Sequence, residues 1–361
     1  MKKCALALAL ALLLTAASGC AGRNGGGTSE SAADSSAGSE ETLTLSSLSV
    51  ELPRELDTAA AGKAMAELPE RMAEFGVKIG SVSVTYGTSH AATGQALADG
   101  GVQLAFLPAA DFLACGGGAA PILADAQPAL SADGTDPAAW NTADLRESGG
   151  WSAGTFALIC AAPTELGENL AARAAAGGKL SWEEISRARW GVLEETSNPG
   201  NRCAELWLED HFDGNGLADL DSVTVYSGWE DLLRAAAAGE IDLMPLGPEI
   251  RQTYADLWTM ETTKTGESGA HGFGRGAEIL TEVPAVAVTD RLYSWVAAVT
   301  PGDAAVNDAR FQSALAQALE ELFPSPAERQ SALGAAHFAP VSSGDLDGLR
   351  RLTLGTDSPA G

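Results

Sequence analysis

The sequence predicts an α/β fold of two lobes, with two hinge crossings and a ligand cleft between the lobes. Three observations predict it. Short apolar runs alternate with stretches of helical spacing along most of the chain after Thr42, the pattern of a parallel or mixed sheet covered by helices. About 320 residues follow that point, long for one core and suited to two. Each half also carries the order strand, Thr-Ser turn, helix, Gly, apolar strand ending near Pro.

At the N-terminus, Lys2 and Lys3 precede an apolar run from Ala5 to Leu14, and Ala16-Ala17-Ser18-Gly19 lead to Cys20. A basic start, a short apolar stretch and small residues before a cleavage point make an export signal. The run falls short of the roughly 20 apolar residues that cross a bilayer, and no other segment looks membrane-spanning. Gly19-Cys20 resembles the lipobox of bacterial lipoproteins, with Ala17 where Leu is usual. That resemblance implies a signal peptide over 1–19, lipidation of Cys20 and anchoring on the extracytoplasmic face of the cell membrane. Residues 20–42 are Gly, Ser, Ala, Thr and acids with no aromatic residue. They cannot bury enough surface to offset chain entropy and are expected to form a flexible tether.

Leu43, Leu45, Leu48 and Val50 alternate with polar residues and open the first lobe (43–150) as a strand. Met65, Leu68, Met72 and Phe75 lie at helical spacing and stop at Gly76. Val77–Val84 is a second strand, running into Gly87-Thr88-Ser89 and a helix from about His90 to Gly100. Val102–Leu107 is a third strand, closed by Pro108. A Gly, Ala, Pro and Asp stretch over 116–150 separates this lobe from the apolar run Thr155–Cys160.

In the second lobe (151–282), Ser181 and Glu184 form a capping-box pair. Trp190-Gly191-Val192-Leu193 is a strand that stops at Thr196-Ser197-Asn198-Pro199-Gly200, and a helix follows from about Arg202 to His211. Val223–Tyr226 is a strand, Trp229–Ala238 a helix ended by Gly239, and Ile241–Leu246 a further strand. Val283–Val288 is expected to be a strand returning toward the first lobe, so that segment 283–361 completes it with helices over Asp308–Leu322 and Pro326–Leu333. The segments near 150–160 and 281–288 are then the two crossings, and a chain that crosses twice makes a hinge.

Composition narrows the function. A net charge of −26 argues against nucleic acid, which needs basic surface. An anionic ligand would therefore be held by local dipoles, against the overall field. Past Cys20 only Cys115, Cys160 and Cys203 remain. This is no disulfide framework, and none has metal-ligand spacing, so no metal site is expected. There is no G-x-S-x-G, H-E-x-x-H or phosphate-binding loop, so neither catalysis nor a cofactor is expected.

The two Thr-Ser turns carry the chemistry. Each exposes backbone N–H groups and hydroxyls at the positive end of a helix dipole, a suitable seat for an anion. Ser and Thr are also ordinary N-caps, worth about 1 kcal/mol without any ligand; it is the matching pair, in corresponding places of the two lobes, that points to binding. Tyr86 either closes over the ligand or packs in the core. His90 either donates to an anion when protonated or sits on the surface. Arg202 offers a bidentate contact or lies solvated. Asp242 either accepts from a ligand group or ends a strand.

These residues resemble the solute-binding proteins of phosphate, phosphonate and phosphite ABC importers, the phosphonate-binding (PhnD-like) family. The likeness is most specific at Gly87-Thr88-Ser89-His90-Ala91-Ala92-Thr93-Gly94-Gln95-Ala96-Leu97 and at Trp190-Gly191-Val192-Leu193 running into Thr196-Ser197 and Gly200. It implies a periplasmic-binding-protein-like (type II) fold, acting as a monomer that delivers a small oxyanion to an ABC permease and ATPase complex. It also implies that both Thr-Ser turns face the ligand, and that an acid in Gly239-Glu240-Ile241-Asp242 lies at the cleft. The sequence departs from the family at His90, where Tyr is common, at Gln103, where an acid is usual, and over Asn198-Pro199 and Asn201-Arg202. A sulfonate or other organic solute, or a sensor or scaffold role without transport, are the alternatives.

Overall fold

The computed structural model describes residues 42–355 apart from 133, 143–144 and 263–270. The expected signal peptide, Cys20 and the tether up to residue 41 lie outside the described residues. Among the described residues, no helix is long and apolar enough to cross a membrane.

The first half begins with β1 (Leu43–Leu45) and β2 (Leu48–Pro53), then α1 (Thr58–Glu74), β3 (Val77–Ile79) and β4 (Val82–Gly87). It continues with α2 (His90–Ala98), β5 (Leu104–Pro108), α3 (Ala109–Cys115), β6 (Ala120–Leu130) and β7 (Glu147–Ala153). Helix α1 forms where expected because Met65, Leu68 and Met72 bury one stripe, while the Asp57 side chain caps its start by accepting from Ala59 and Ala60.

The second half holds β8 (Leu158–Ala161), α4 (Glu165–Ala175), α5 (Trp182–Arg187) and β9 (Arg189–Val192). A π-helical turn over Asn198–Arg202 runs directly into α6 (Cys203–His211). Then come β10 (Ser222–Val225), α7 (Trp229–Ala237), β11 (Leu243–Leu246), α8 (Ile250–Thr253), α9 (Ala255–Thr259), α10 (Ile279–Glu282) and β12 (Ala285–Val288). The chain finishes with β13 (Trp295–Val299), α11 (Ala309–Leu322), α12 (Pro326–Leu333), β14 (Phe338–Pro340) and α13 (Asp347–Leu354).

Two main sheets organise these elements. The first has the order β14-β6-β13-β5-β2-β4, with β7 paired to β6, and the second β10-β9-β11-β8-β12. In the first, β2 is parallel to β4 and β5, and β13 runs antiparallel between β5 and β6. In the second, β9 is parallel to β10 and β11, and β8 runs antiparallel between β11 and β12. Ranked by chain order, both sheets therefore place the second strand at one side, then the first, the third, an inserted strand, and the fourth. The inserted strand is in each case the one that has just crossed from the other half.

Each sheet is covered on both faces, and we call a sheet with its helices a lobe. Along β5, Leu104 and Phe106 join the cluster that holds α1 and α11, while Ala105 and Leu107 join the one on the opposite face, the two-residue alternation of a strand. Along β8, Leu158 and Cys160 face one cluster, Ile159 and Ala161 the other. The fold is thus the two-lobed α/β arrangement that the sequence predicts.

Two expected details change. Strand β12 does not return to the first lobe but forms the edge of the second sheet beside β8. The return runs through 289–294, and β13 is the strand that arrives. Secondly, the Gly/Ala/Pro-rich stretch is no plain separator. Its strands β6 and β7 form a ribbon, and between them Trp140 and Leu145 pack into the core around Leu158 and Cys160. Leu130, Ala132, Trp140 and Leu145 therefore pack with the second lobe, short of the boundary placed at 150. The chain passes between the lobes along this ribbon as well as at the hinge, where Thr155 and Leu292 exchange backbone bonds of 2.8 and 2.7 Å.

Candidate functional site

Ligands of open α/β sheets sit beyond the carboxyl ends of the parallel strands. Here those ends meet. Strand β13 starts beside the end of β5, with Trp295 opposite Pro108, and the Ala109 N–H donates to the Ser294 carbonyl at 2.9 Å. From the second sheet, the turn after β9 brings Asn198, whose Nδ2 donates to Ser294 Oγ at 3.0 Å. His90, after β4, sets its ring edge-on to Trp295 at 6.5 Å. Both turns singled out in the sequence thus converge on Ser294–Trp295. Asp125 fixes that segment by accepting from the Ser294 and Trp295 N–H groups at 2.8 and 3.1 Å. Burial raises the Asp125 carboxyl pKa, and these two bonds offset part of the rise.

Ser89 and Ser197 are both N-caps: their Oγ atoms accept from the N–H groups of Ala92 and Gly200, each at 3.2 Å. A hydroxyl that accepts retains its own hydrogen to donate. Thr88 and Thr196 are exposed beside them. The two turns are not topological equivalents, however. Thr88-Ser89 follows β4, the second strand of its sheet, whereas Thr196-Ser197 follows β9, the first of the other. Gly200 is buried because a Cβ there would come within 2.7 Å of Leu193 and Ser197; its role is to let the turn pack down on β9.

His90 holds an unanticipated position. Its Nδ1 lies 2.7 Å from Asp111 and its Nε2 contacts Glu55, so the loop after β2 and the first turn of α3 clamp the ring from both sides. Burial alone would lower its pKa, but these two carboxylates outweigh burial and raise it above the ordinary histidine value. The first-lobe face therefore presents the His90 ring held between two carboxylates.

Three expected ligand contacts are placed elsewhere. Tyr86 turns toward α1 and donates its hydroxyl to the Thr58 carbonyl at 2.7 Å, so it does not close over the cleft. Arg202 donates to Asn198 Oδ1 at 3.4 Å and lines a groove with Glu195, Glu205, Glu209 and Leu352. Asp242 lies before β11, at the amino end of that strand, where it accepts from Arg189 Nε and Nη2 at 2.9 and 2.7 Å and from Thr164 Oγ1 at 2.7 Å. A cleft at carboxyl ends is out of its reach.

Residues that sequence reasoning passed over line two cavities at the crossings, of about 360 and 340 Å³. Trp140, Phe156 and Arg291 contribute to both. Phe156 meets Trp140 edge-on at 5.2 Å, and the Arg291 guanidinium stands 4.6 Å over the Phe156 ring. The available signals were a lone Trp inside a small-residue stretch and an Arg just past a strand end. Among the described residues, no group of three His, Cys, Asp or Glu could hold a metal ion.

No family model matches the chain, and no curated protein matches it. Among solved structures it is similar to a binding protein component of an ABC phosphonate transporter from Pseudomonas aeruginosa, at 10% identity over 86% of each chain and a TM-score of 0.33. It is also similar to the periplasmic aliphatic sulphonate binding protein SsuA from Escherichia coli, at 12% identity over 86% of this chain and 90% of that one, TM-score 0.34. A Xanthomonas citri protein bound to chloride ion is similar at 15% identity over 86% and 96%, TM-score 0.38.

Proposed function

We propose that this chain is the extracytoplasmic solute-binding component of an ABC importer. In this reading it is a monomer held at the membrane by a lipid on Cys20. It captures a small oxyanion in the cleft by lobe closure and presents it to a permease and ATPase complex. The observation that carries the proposal is the strand order repeated in both sheets, with the carboxyl ends brought together at Asn198 and Ser294. A ligand touching both ends favours the closed arrangement, because those contacts exist only there.

Thr88, Ser89, Thr196 and Ser197 supply N–H and O–H donors without full charge, suited to phosphonate, phosphate or phosphite. The carboxylates of Glu55 and Asp111 beside His90 favour a second reading, a sulfonate or other organic monoanion. Thermal-shift measurements on the full chain with phosphate, phosphite, methylphosphonate and methanesulfonate test both. A ligand at a hundred times its Kd adds about 2.7 kcal/mol of stability. No rise in melting temperature with any of the four, or binding untouched by combined Ser89→Ala and Ser197→Ala, overturns the oxyanion site.

A further inference from the structure

The groove that Arg202 lines, of about 570 Å³, takes Val223 and Val225 of β10 into its wall. Strand β10 ends its sheet, pairing only with β9 among the described residues. The Tyr226 N–H donates to the Val192 carbonyl at 2.8 Å. Backbone groups alternate along a strand, so the N–H and C=O groups of Val223 and Val225 point off the free edge. Natural edges are blunted with charged side chains or proline; Ser222-Val223-Thr224-Val225 has neither. Val225 is 61% exposed, the most among the large apolar side chains of the described residues. We propose that this edge and groove dock an extended basic segment of a partner protein, which adds a strand beside β10 and brings lysine or arginine to Glu195 and Glu209. The chemistry of the segment rests on the groove; naming the partner as the importer's permease rests on the solute-binding reading above.

Charge decides the occupant. Glu195, Glu205 and Glu209 line the groove with Arg202. Glu205 is engaged, accepting from the Leu217 N–H at 2.6 Å, whereas Glu195 and Glu209 make no hydrogen bond or salt bridge among the described residues. Burial raises the Glu209 carboxyl pKa, Glu205 and Asp210 raise it further, and Arg351 opposes them only in part. An incoming ammonium or guanidinium relieves that repulsion, and a carboxylate adds to it. The same balance disfavours a second copy, since two chains of net charge −26 meeting at this edge would set one acidic groove against another. Leu217, Leu352 and the two valines give the segment's alternate side chains an apolar wall. Leu352 belongs to α13, whose Leu349 shares a core with Phe112 of α3. A docked segment therefore touches elements of both lobes.

Fluorescence anisotropy of the full chain with a labelled peptide tests this. The probe Thr-Lys-Thr-Val-Thr-Lys presents Lys, Val and Lys on one face of a strand, and its comparison has Glu at both Lys positions. The expected result is saturable binding of the basic peptide and none of the acidic one. Combined Glu195→Gln and Glu209→Gln should weaken it about three- to ten-fold, the size of two surface ion pairs. N-methylation in one alternating phase of the peptide backbone should abolish binding, and in the other phase leave it. Val225→Pro should also abolish it while keeping the ladder to β9, because that N–H faces away from β9; the methylated peptides carry the same test without altering the protein. Equal binding of the acidic peptide, indifference to the double Gln variant, or equal effects of the two methylation phases overturns the inference. A dimer in sedimentation that Val225→Pro dissociates also overturns it, giving the edge to a second copy. If the basic peptide does not bind while a solute still raises the melting temperature, this inference falls and the solute-binding reading stands. Peptide binding with no response to any solute keeps the docking groove and removes the permease as its partner.

Discussion

Asp242 separates a structural carboxylate from a ligand contact. Its side chain is 5% exposed and receives three bonds from Arg189, from the backbone N–H, Nε and Nη2, together with the Thr164 hydroxyl. Removing one partner of a buried ion pair costs about 3–5 kcal/mol. Arg189 is 45% exposed, so water takes over part of its solvation when the carboxylate is lost. Asp242→Ala should therefore cost about 2–3 kcal/mol, less than the fully buried case. At roughly 2–4 °C per kcal/mol for a chain of this size, the melting temperature should fall by about 4–12 °C. Solute affinity should not change, because β11 separates Asp242 from the cleft by about 13 Å of strand. Burial alone would raise the Asp242 pKa, but the Arg189 and Thr164 bonds hold it below the ordinary carboxylate range. The stability from this pair is therefore present above the unfolded pKa of about 3.9 and is lost as pH falls through the folded value. Urea unfolding from pH 3 to 7, with binding measured on the same samples, checks both halves. An Asp242→Ala protein of unchanged stability and lost binding would refute this account of the residue.

His90 titrates in the opposite sense. With its pKa raised by Glu55 and Asp111 against the effect of burial, its contribution is full below pH 6.5 and disappears as pH rises through the folded value. Wild-type chain should lose stability over that interval relative to His90→Gln, measured by thermal unfolding across pH 5.5–9; parallel curves would exclude the clamp. Gly200→Ala should destabilise by about 1–3 kcal/mol by overpacking against Leu193 and Ser197, and an unchanged urea midpoint would contradict that packing. The buried thiols of Cys160 and Cys203 are pushed up to about 11 and 12, chiefly by burial. In folded protein at pH 8 a thiol reagent should label the half-buried Cys115 and reach those two only on unfolding.

Much of the lobe architecture was legible because it is written in local periodicity. Leu104–Leu107 and Leu158–Ala161 are short apolar runs buried on both faces, and Met65, Leu68 and Met72 mark the face of α1. The ribbon was not legible, because β6 contains Pro121 and Pro128 among alanines and lacks an alternating pattern. Its placement depends on Trp140 finding a core contributed by residues far along the chain. The non-equivalence of the two Thr-Ser turns was hidden for another reason: a motif shows the strand it follows, not that strand's rank in a sheet. Asp242 carried a usable clue. It precedes an apolar run, so it stands at the amino end of a strand, away from any carboxyl-end cleft. Tyr86 carried none, since which face of β4 meets α1 is decided by packing.

Ligand-dependent lobe movement is the most direct test of a two-lobed solute-binding protein. Nitroxide labels at Ser83→Cys on β4 and Ser222→Cys on β10, both exposed positions, report the distance between lobes in a Cys115→Ser background. The account predicts that a solute which raises the melting temperature also shifts this distance distribution to a shorter, narrower one. A distribution identical with and without saturating solute would contradict it.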